Sequence, residues 1–221
     1  MKAALLLAPR ELRIGSAPAP SAGAGEVVVR TRAAGLCGTD YAIWSGARPV
    51  RYPRVLGHEF VGTVEAVGPG AARVRVGDRV VVEPNYSCGA CPLCREGNGN
   101  LCLARTAVGI DVDGCFAELV RVPARCCWPA PATVPDEDLV LTEPLAVVVR
   151  AVARGGVRSG ETAAVVGAGT LGLLGLQVLR GRGARGASSW RATSAPRRTR
   201  PWTDRSTRWP ASSPGARAWT A

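Results

Sequence analysis

The sequence predicts a two-domain α/β chain, in which a β-rich N-terminal domain is followed by the opening of a strand-and-helix domain. Three observations carry that prediction. Valine-rich runs separated by Gly and Pro turns fill residues 1 to about 135. Near residue 140 the pattern changes to a helix, a buried strand and a glycine-rich turn, and that change marks a domain boundary. Four cysteines between positions 88 and 102 point to a metal-stapled loop within the first domain. With 221 residues, 47% of them hydrophobic, the chain can bury a core.

In chain order, Val27-Val28-Val29, Val61-Gly-Thr-Val64 and Val80-Val81-Val82 read as short strands of a compact barrel or sandwich. Residues 138–154 are long enough for a buried helix, with Pro144 in its first turn or at a kink. Thr162–Val166 reads as a buried strand, and the helical run from Leu171 to Arg180 follows it. The expected boundaries are 1–137 for the β domain, 138–183 for the start of the strand-and-helix domain and 184–221 for a basic tail that is disordered or out of frame.

That tail contains no Val, Ile, Leu, Met or Phe, and it carries eight arginines against one acid, Asp204, so it supplies seven of the net +11 charges. Nothing in it offers an aliphatic face, so no packed core is expected there. Arginines can neutralise phosphates and its four tryptophans can stack on bases. An out-of-frame reading of GC-rich codons would give the same composition, so a nucleic-acid partner is not expected.

The cysteine run reads Cys88-Gly-Ala-Cys91-Pro-Leu-Cys94 and closes at Cys102. Short spacers of this kind let four thiolates converge on one Zn²⁺. The alternative, a disulfide cluster, needs an oxidising compartment. The apolar run Ala3–Ala8 is too short for an export signal and is followed at once by Pro9, Arg10 and Glu11. No 18-residue apolar stretch suggests a membrane span. The expectation is a reduced, cytoplasmic, zinc-binding protein without membrane association.

Gly167-Ala-Gly169-Thr170-Leu171-Gly172 is a GxGxxG turn lying between the predicted strand and helix. The first glycine permits the turn, the second lets backbone approach a pyrophosphate, and the third allows close helix packing. Such a turn normally has an acidic ribose partner about 20 residues on. Here that region is the Arg/Ser/Trp stretch. A second metal site is suggested by Cys37 and the only histidine, His58, both flanked by glycines, with Glu143 as a further donor. On spacing alone, a lone Cys and a lone His are more often packing residues than ligands.

Cys37-Gly-Thr39-Asp40, Gly57-His58-Glu59-Phe-Val-Gly62, the cysteine lobe, Thr142-Glu143-Pro144-Leu145 and Val166–Gly172 stand in the order found in zinc-dependent medium-chain alcohol dehydrogenases. The chain resembles that family over residues 1 to about 183, and its sorbitol and threonine dehydrogenase branch in particular. The resemblance implies a GroES-like β-barrel catalytic domain followed by a Rossmann domain, incomplete here. It implies two zinc ions per chain, NAD or NADP as cofactor, and hydride transfer from an alcohol or polyol. Cys37, His58 and Glu143 are then catalytic zinc ligands, Glu59 is a carboxylate able to exchange with water on the metal, and Thr39 takes the alcohol proton. Cys88, Cys91, Cys94 and Cys102 hold a structural zinc, while Gly167, Gly169, Thr170, Leu171 and Gly172 cradle the dinucleotide.

The sequence also departs from that family. The histidine that many relatives carry after Cys-Gly-Thr-Asp is missing, since Tyr41-Ala42-Ile43-Trp44 stand there. Cys115, Cys126 and Cys127 match no ligand and read as packing residues. Beyond residue 183 the chain reads as truncated or frame-shifted, which predicts impaired turnover and removes the segments through which the family forms homo-oligomers. The alternative function is a zinc-stapled binding or scaffold domain without catalysis.

Overall fold

The computed structural model describes residues 1–190 and 217–220. Its contacts divide the chain into two units, Met1–Glu143 and Pro144–Ala221.

The first unit is built on a five-stranded antiparallel sheet. In chain order its strands are β1 (Lys2–Ala8), β2 (Glu11–Ser16), β3 (Glu26–Gly35), β4 (Arg54–Val55), β5 (Glu59–Val67), β6 (Arg79–Val82), β7 (Asn85–Tyr86), β8 (Thr106–Ala107), β9 (Leu119–Pro123) and β10 (Cys127–Pro129). The main sheet runs β10-β6-β5-β3-β9, a smaller one runs β2-β1-β4, and β7 pairs with β8. A bridge between Ala3 and Ala117 links β1 to the chain just before β9.

Strand β3 is paired on both sides, with β5 and with β9. Its Val27, Val28 and Val29 are all buried, so the run does not alternate as a half-exposed strand would. Val27 and Val29 meet Phe60, Val64, Val80, Val120 and Val122 in the main core. Each such side chain stabilises the fold by about 1.5–3 kcal/mol on burial. The same core takes in Cys115, Cys126 and Cys127. Burial pushes the Cys126 thiol up to about 11, Cys127 to about 12 and Cys115 further still, as expected of inert packing cysteines.

Three helices interrupt this unit: α1 (Gly38–Trp44), α2 (Pro92–Arg95) and α3 (Asp136–Leu139). The sequence predicts one helix over 138–154, whereas the chain forms α3 and then a separate α4 (Thr142–Gly155). Pro144 is the reason. It has no N–H and fits only in a first turn, so α4 must begin just ahead of it and the preceding residues form their own turn. Asp136, in the first turn of α3, accepts from Arg32 Nε at 2.7 Å and from Arg79 Nε at 2.8 Å. Those two guanidiniums tie α3 to β3 and β6.

The second unit contains most of α4, then β11 (Thr162–Val166), α5 (Thr170–Gly181), β12 (Arg185–Trp190) and β13 (Arg217–Thr220). Its sheet is parallel, in the order β12-β11-β13. Val148 and Val152 of α4 pack with Ala163 and Val165 of β11 and with Leu174 and Leu179 of α5. The sequence reads β11 as a buried strand; its burial alternates, and Val166 is 42% exposed. Helix packing covers one face of the strand and leaves the other open. Two segments of the aliphatic-free tail have regular backbone, because parallel pairing uses backbone N–H and C=O groups and needs no apolar side chain. The reading of the rest of the tail, 191–216 and 221, lies outside the described residues. No helix among those described is long and apolar enough to cross a membrane.

Candidate functional site

The four-cysteine lobe lies between β7 and β8. Cys91 is the N-cap of α2, where Pro92 sets the first helical position, and a 3₁₀ turn, Gly99–Leu101, leads into Cys102. The sulfurs are 3.5 Å apart for Cys91 and Cys94, 4.0 Å for Cys88 and Cys94, and 4.0 Å for Cys91 and Cys102. A tetrahedron of Zn–S bonds about 2.3 Å long has sulfur–sulfur edges of about 3.8 Å, so these residues fit the ion. All eight cysteines of the chain are free.

Backbone donors prepare these sulfurs for the thiolate form. The N–H groups of Ala90 and Cys91 point at Cys88 Sγ at 3.4 Å and bring its pKa down to about 6. Backbone N–H groups of Leu103 and Cys94 lower Cys91 in the same way. Burial, together with the neighbouring Cys91 thiol, pushes Cys94 up to about 11. A bound dication removes that conflict, since it stabilises every thiolate at once. Arg95 Nε on Ala90 O and Arg125 Nη2 on Ser87 O, both at 2.9 Å, pin the loop from outside.

The second cluster joins two loops of the same unit. Cys37 is the N-cap of α1, with Thr39 N–H directed at its Sγ at 3.5 Å. The Cys37 N–H donates to Asp40 Oδ2 at 2.9 Å and completes a capping box. The other oxygen, Oδ1, accepts from Gly57 N–H at 3.1 Å and lies 3.4 Å from His58 Nδ1. Asp40 is only 1% exposed. One buried carboxylate therefore fastens both loops, a role the sequence reading passed over. Its signal was present: an acid three residues after an N-cap is capping-box spacing.

Burial of the imidazole lowers the His58 pKa, but the Asp40 carboxylate and the Cys37 thiol beside it outweigh that and raise it to about 9. Nδ1 is buried and has no full hydrogen bond. With Nδ1 turned to Asp40, Nε2 is the nitrogen left for an ion. The turn before His58 needs glycine, because Gly57 has φ +93° and a Cβ there would lie 2.6 Å from the Phe116 ring.

One donor atom from each of Cys37, His58 and Glu59 lies within 4.8 Å of the other two. The mixed sulfur, nitrogen and oxygen set suits Zn²⁺ and leaves room for a further ligand. Glu143, in the first turn of α4, stands outside this group of donors but feels its charges. Burial and Glu59 raise its carboxyl, and His58 acts in the opposite sense. Glu59 faces Gly35 across the β3–β5 pair, where a Cβ would come 2.5 Å from its Oε2. Thr39 is half-buried in the first turn of α1.

In the second unit, β11 ends at Val166 and Gly167 turns the chain with φ +119°. Gly169 is the N-cap of the twelve-residue α5, and Thr170 and Leu171 open that helix. A Cβ on Gly172 would collide with the Gly167 carbonyl, so the third glycine allows the helix to start against the strand end. The N–H groups of such a first turn are free to meet an anion.

Fold and site together define a zinc-binding β domain followed in sequence by a Rossmann-type unit. Residues 23–132 match the alcohol dehydrogenase GroES-like domain. The chain is 41% identical over 182 residues to the starvation-sensing protein RspB of Escherichia coli K12, covering 82% of this chain and 54% of that protein. It is also 41% identical over 170 residues to L-threonine 3-dehydrogenase of Pyrococcus horikoshii, covering 75% of this chain and 48% of that enzyme. Among solved structures, the short chain alcohol dehydrogenase (rspB) from E. coli CFT073 complexed with NADH superposes with a TM-score of 0.81 and 39% identity, over 86% of this chain and 56% of that one. The chain belongs to the zinc-dependent medium-chain alcohol dehydrogenase family. It spans about half the length of the relatives it matches.

Proposed function

We propose that the protein is a zinc-dependent oxidoreductase that passes hydride between an alcohol or polyol and NAD or NADP. The observation that carries this reading is the convergence of Cys37, His58 and Glu59 donors around a buried aspartate, in a chain whose relatives include a named dehydrogenase and an alcohol dehydrogenase solved with NADH. Cys37 and His58 would hold a catalytic zinc, with Glu59 and Glu143 as the carboxylates able to complete or exchange at its shell. Cys88, Cys91, Cys94 and Cys102 would hold a second, structural zinc. A catalytic zinc supplies Lewis acidity that lowers the pKa of an alcohol hydroxyl, and the nicotinamide supplies the hydride acceptor.

The remaining work falls to the protein's own groups. Asp40 keeps the imidazole turned so that Nε2 faces the ligand side. The Thr39 hydroxyl takes the substrate proton, and water carries it onward because Tyr41-Ala42-Ile43-Trp44 offer no histidine. The Gly167–Gly172 turn and the first turn of α5 bind the pyrophosphate, with Gly167, Gly169, Thr170, Leu171 and Gly172 as the contact positions. The test loads the chain with zinc, measures two ions per chain, and follows reduced nicotinamide by absorbance with a panel of alcohols and polyols. Zinc binding at the four-cysteine site alone, with no turnover, would favour a zinc-stapled scaffold instead.

A further inference from the structure

The first unit holds a cavity of about 340 Å³ that neither cysteine-containing cluster uses. Pro49, Val50, Arg51, Arg54, Ile110 and Asp111 line it. Its floor is apolar and fixed, for Val50 and Ile110 pack onto the buried cluster of Leu6, Ile43 and Leu56. Its rim is charged. Arg51 is exposed and has no acidic partner among the described residues. The Arg54 side chain is only 12% exposed, and Nη1 donates to Asp113 Oδ1 at 3.1 Å. Its Nε is buried without a hydrogen-bond partner.

Formally Asp111 and Asp113 balance the two guanidiniums, but neither carboxylate holds one firmly. Asp113 is 65% exposed and shares Oδ1 between Arg54 and the Val55 N–H, so water screens its hold on the guanidinium. Asp111, the only acid in the wall, accepts the Ala107 N–H through Oδ2 at 2.8 Å. Arg51 thus has no ion-pair partner among the described residues, Arg54 has only the exposed Asp113, and Asp111 is already engaged by backbone. A planar fork of N–H donors beside a small apolar floor is the arrangement that recognises an oxyanion attached to a short carbon chain. A volume near the lower end of the range for ligand pockets limits the occupant to a small molecule.

We infer that this cavity binds a small oxyanion, a carboxylate or a phosphate group, through Arg51 and Arg54. The inference stands apart from the proposed hydride transfer, since it needs neither zinc cluster nor the dinucleotide turn. It gives this cavity, as distinct from the zinc cluster, a preference for anionic ligands over neutral alcohols of the same size.

The test is calorimetric titration of the full, zinc-loaded chain with inorganic phosphate, with acetate and with neutral sorbitol, at low ionic strength. The cavity's anion should be the one that depends on Arg51 and Arg54, whereas sorbitol, a polyol of the class proposed for the zinc cluster, should titrate the same way into the parent chain and into Arg51→Ala. Arg51→Ala should weaken anion binding about tenfold, the loss expected for one charge-assisted contact. Arg54→Lys keeps the charge and removes the fork, and should weaken binding as well. Arg150→Ala, which removes an exposed arginine of the second unit, should leave it unchanged. Tighter phosphate assigns the cavity to phosphate groups, and tighter acetate assigns it to carboxylates. Equal binding by the parent chain and Arg51→Ala, equal weakening by Arg150→Ala, or no anion binding at all would overturn the inference. Zinc content and nicotinamide reduction are separate readouts, so either claim can fail without the other.

Discussion

Replacing Gly114 by alanine tests how the His58 turn is held. The segment carrying Gly114 pairs with the turn through Gly114 N–H to Val55 O at 2.8 Å, Cys115 N–H to Gly57 O at 3.0 Å and Phe116 N–H to Leu56 O at 3.0 Å. A Cβ on Gly114 would lie deep inside the Gly57 carbonyl oxygen, 2.5 Å from Leu56 O and 2.7 Å from Gly109 Cα. All three neighbours are backbone, so no side chain can swing aside. Real contacts of this kind stay above 3.0 Å, so the Leu56–Gly57 carbonyls must retreat by at least about 0.5 Å, with an overpacking cost of about 1–3 kcal/mol. His58 is the next residue, and zinc sites tolerate only about 0.2 Å in ligand distance. The expected result is a catalytic site whose zinc affinity falls about 10–100-fold while the four-cysteine site is unaffected. Zinc content after dialysis against a weak chelator, with the Co²⁺ absorption spectrum of each site, reads this directly. Gly181→Ala, where a Cβ meets nothing within 4 Å, is the control. Retention of both ions at parental affinity in Gly114→Ala would refute the reasoning.

Two more outcomes are expected. The Arg32 and Arg79 guanidiniums beside Asp136 hold its carboxyl below the usual carboxylate range. A depressed folded pKa gives stability that is present above the unfolded value, about 3.9, and is lost as pH falls through the folded one. Urea midpoints should therefore drop below about pH 4 in the parent chain and drop less in Asp136→Asn, which should itself cost about 1–2 kcal/mol at neutral pH. Cys91→Ser should remove one zinc per chain and expose the 88–102 loop to proteolysis in a limited digest, while the Co²⁺ spectrum of the Cys37–His58 site stays unchanged.

Much of this molecule was legible from local pattern. The valine runs marked β3, β5 and β6, and the strand-turn-helix setting marked Gly167–Gly172, because hydrophobic period and glycine placement are short-range properties. The four-cysteine lobe was equally readable, since its spacers are too short to do anything but bring the thiols together. Helix boundaries were less so: Pro144 divided α3 from α4, although the apolar run across it looks continuous.

Long-range placement was the part that needed coordinates. Cys37 and His58 are 21 residues apart in the chain, and only the β3–β5 pairing that sets Gly35 opposite Glu59 brings those loops together. That register also puts Glu59 among the donors, and Asp40 is revealed as the clamp on both loops. Nothing in the local sequence sets Arg51 and Arg54 apart; Ile110 and Asp111, more than fifty residues on, close a cavity around them. Residue type and spacing fix which chemistry is possible. Sheet register and backbone packing decide which side chains share a site, because those distances depend on partners far away in the sequence.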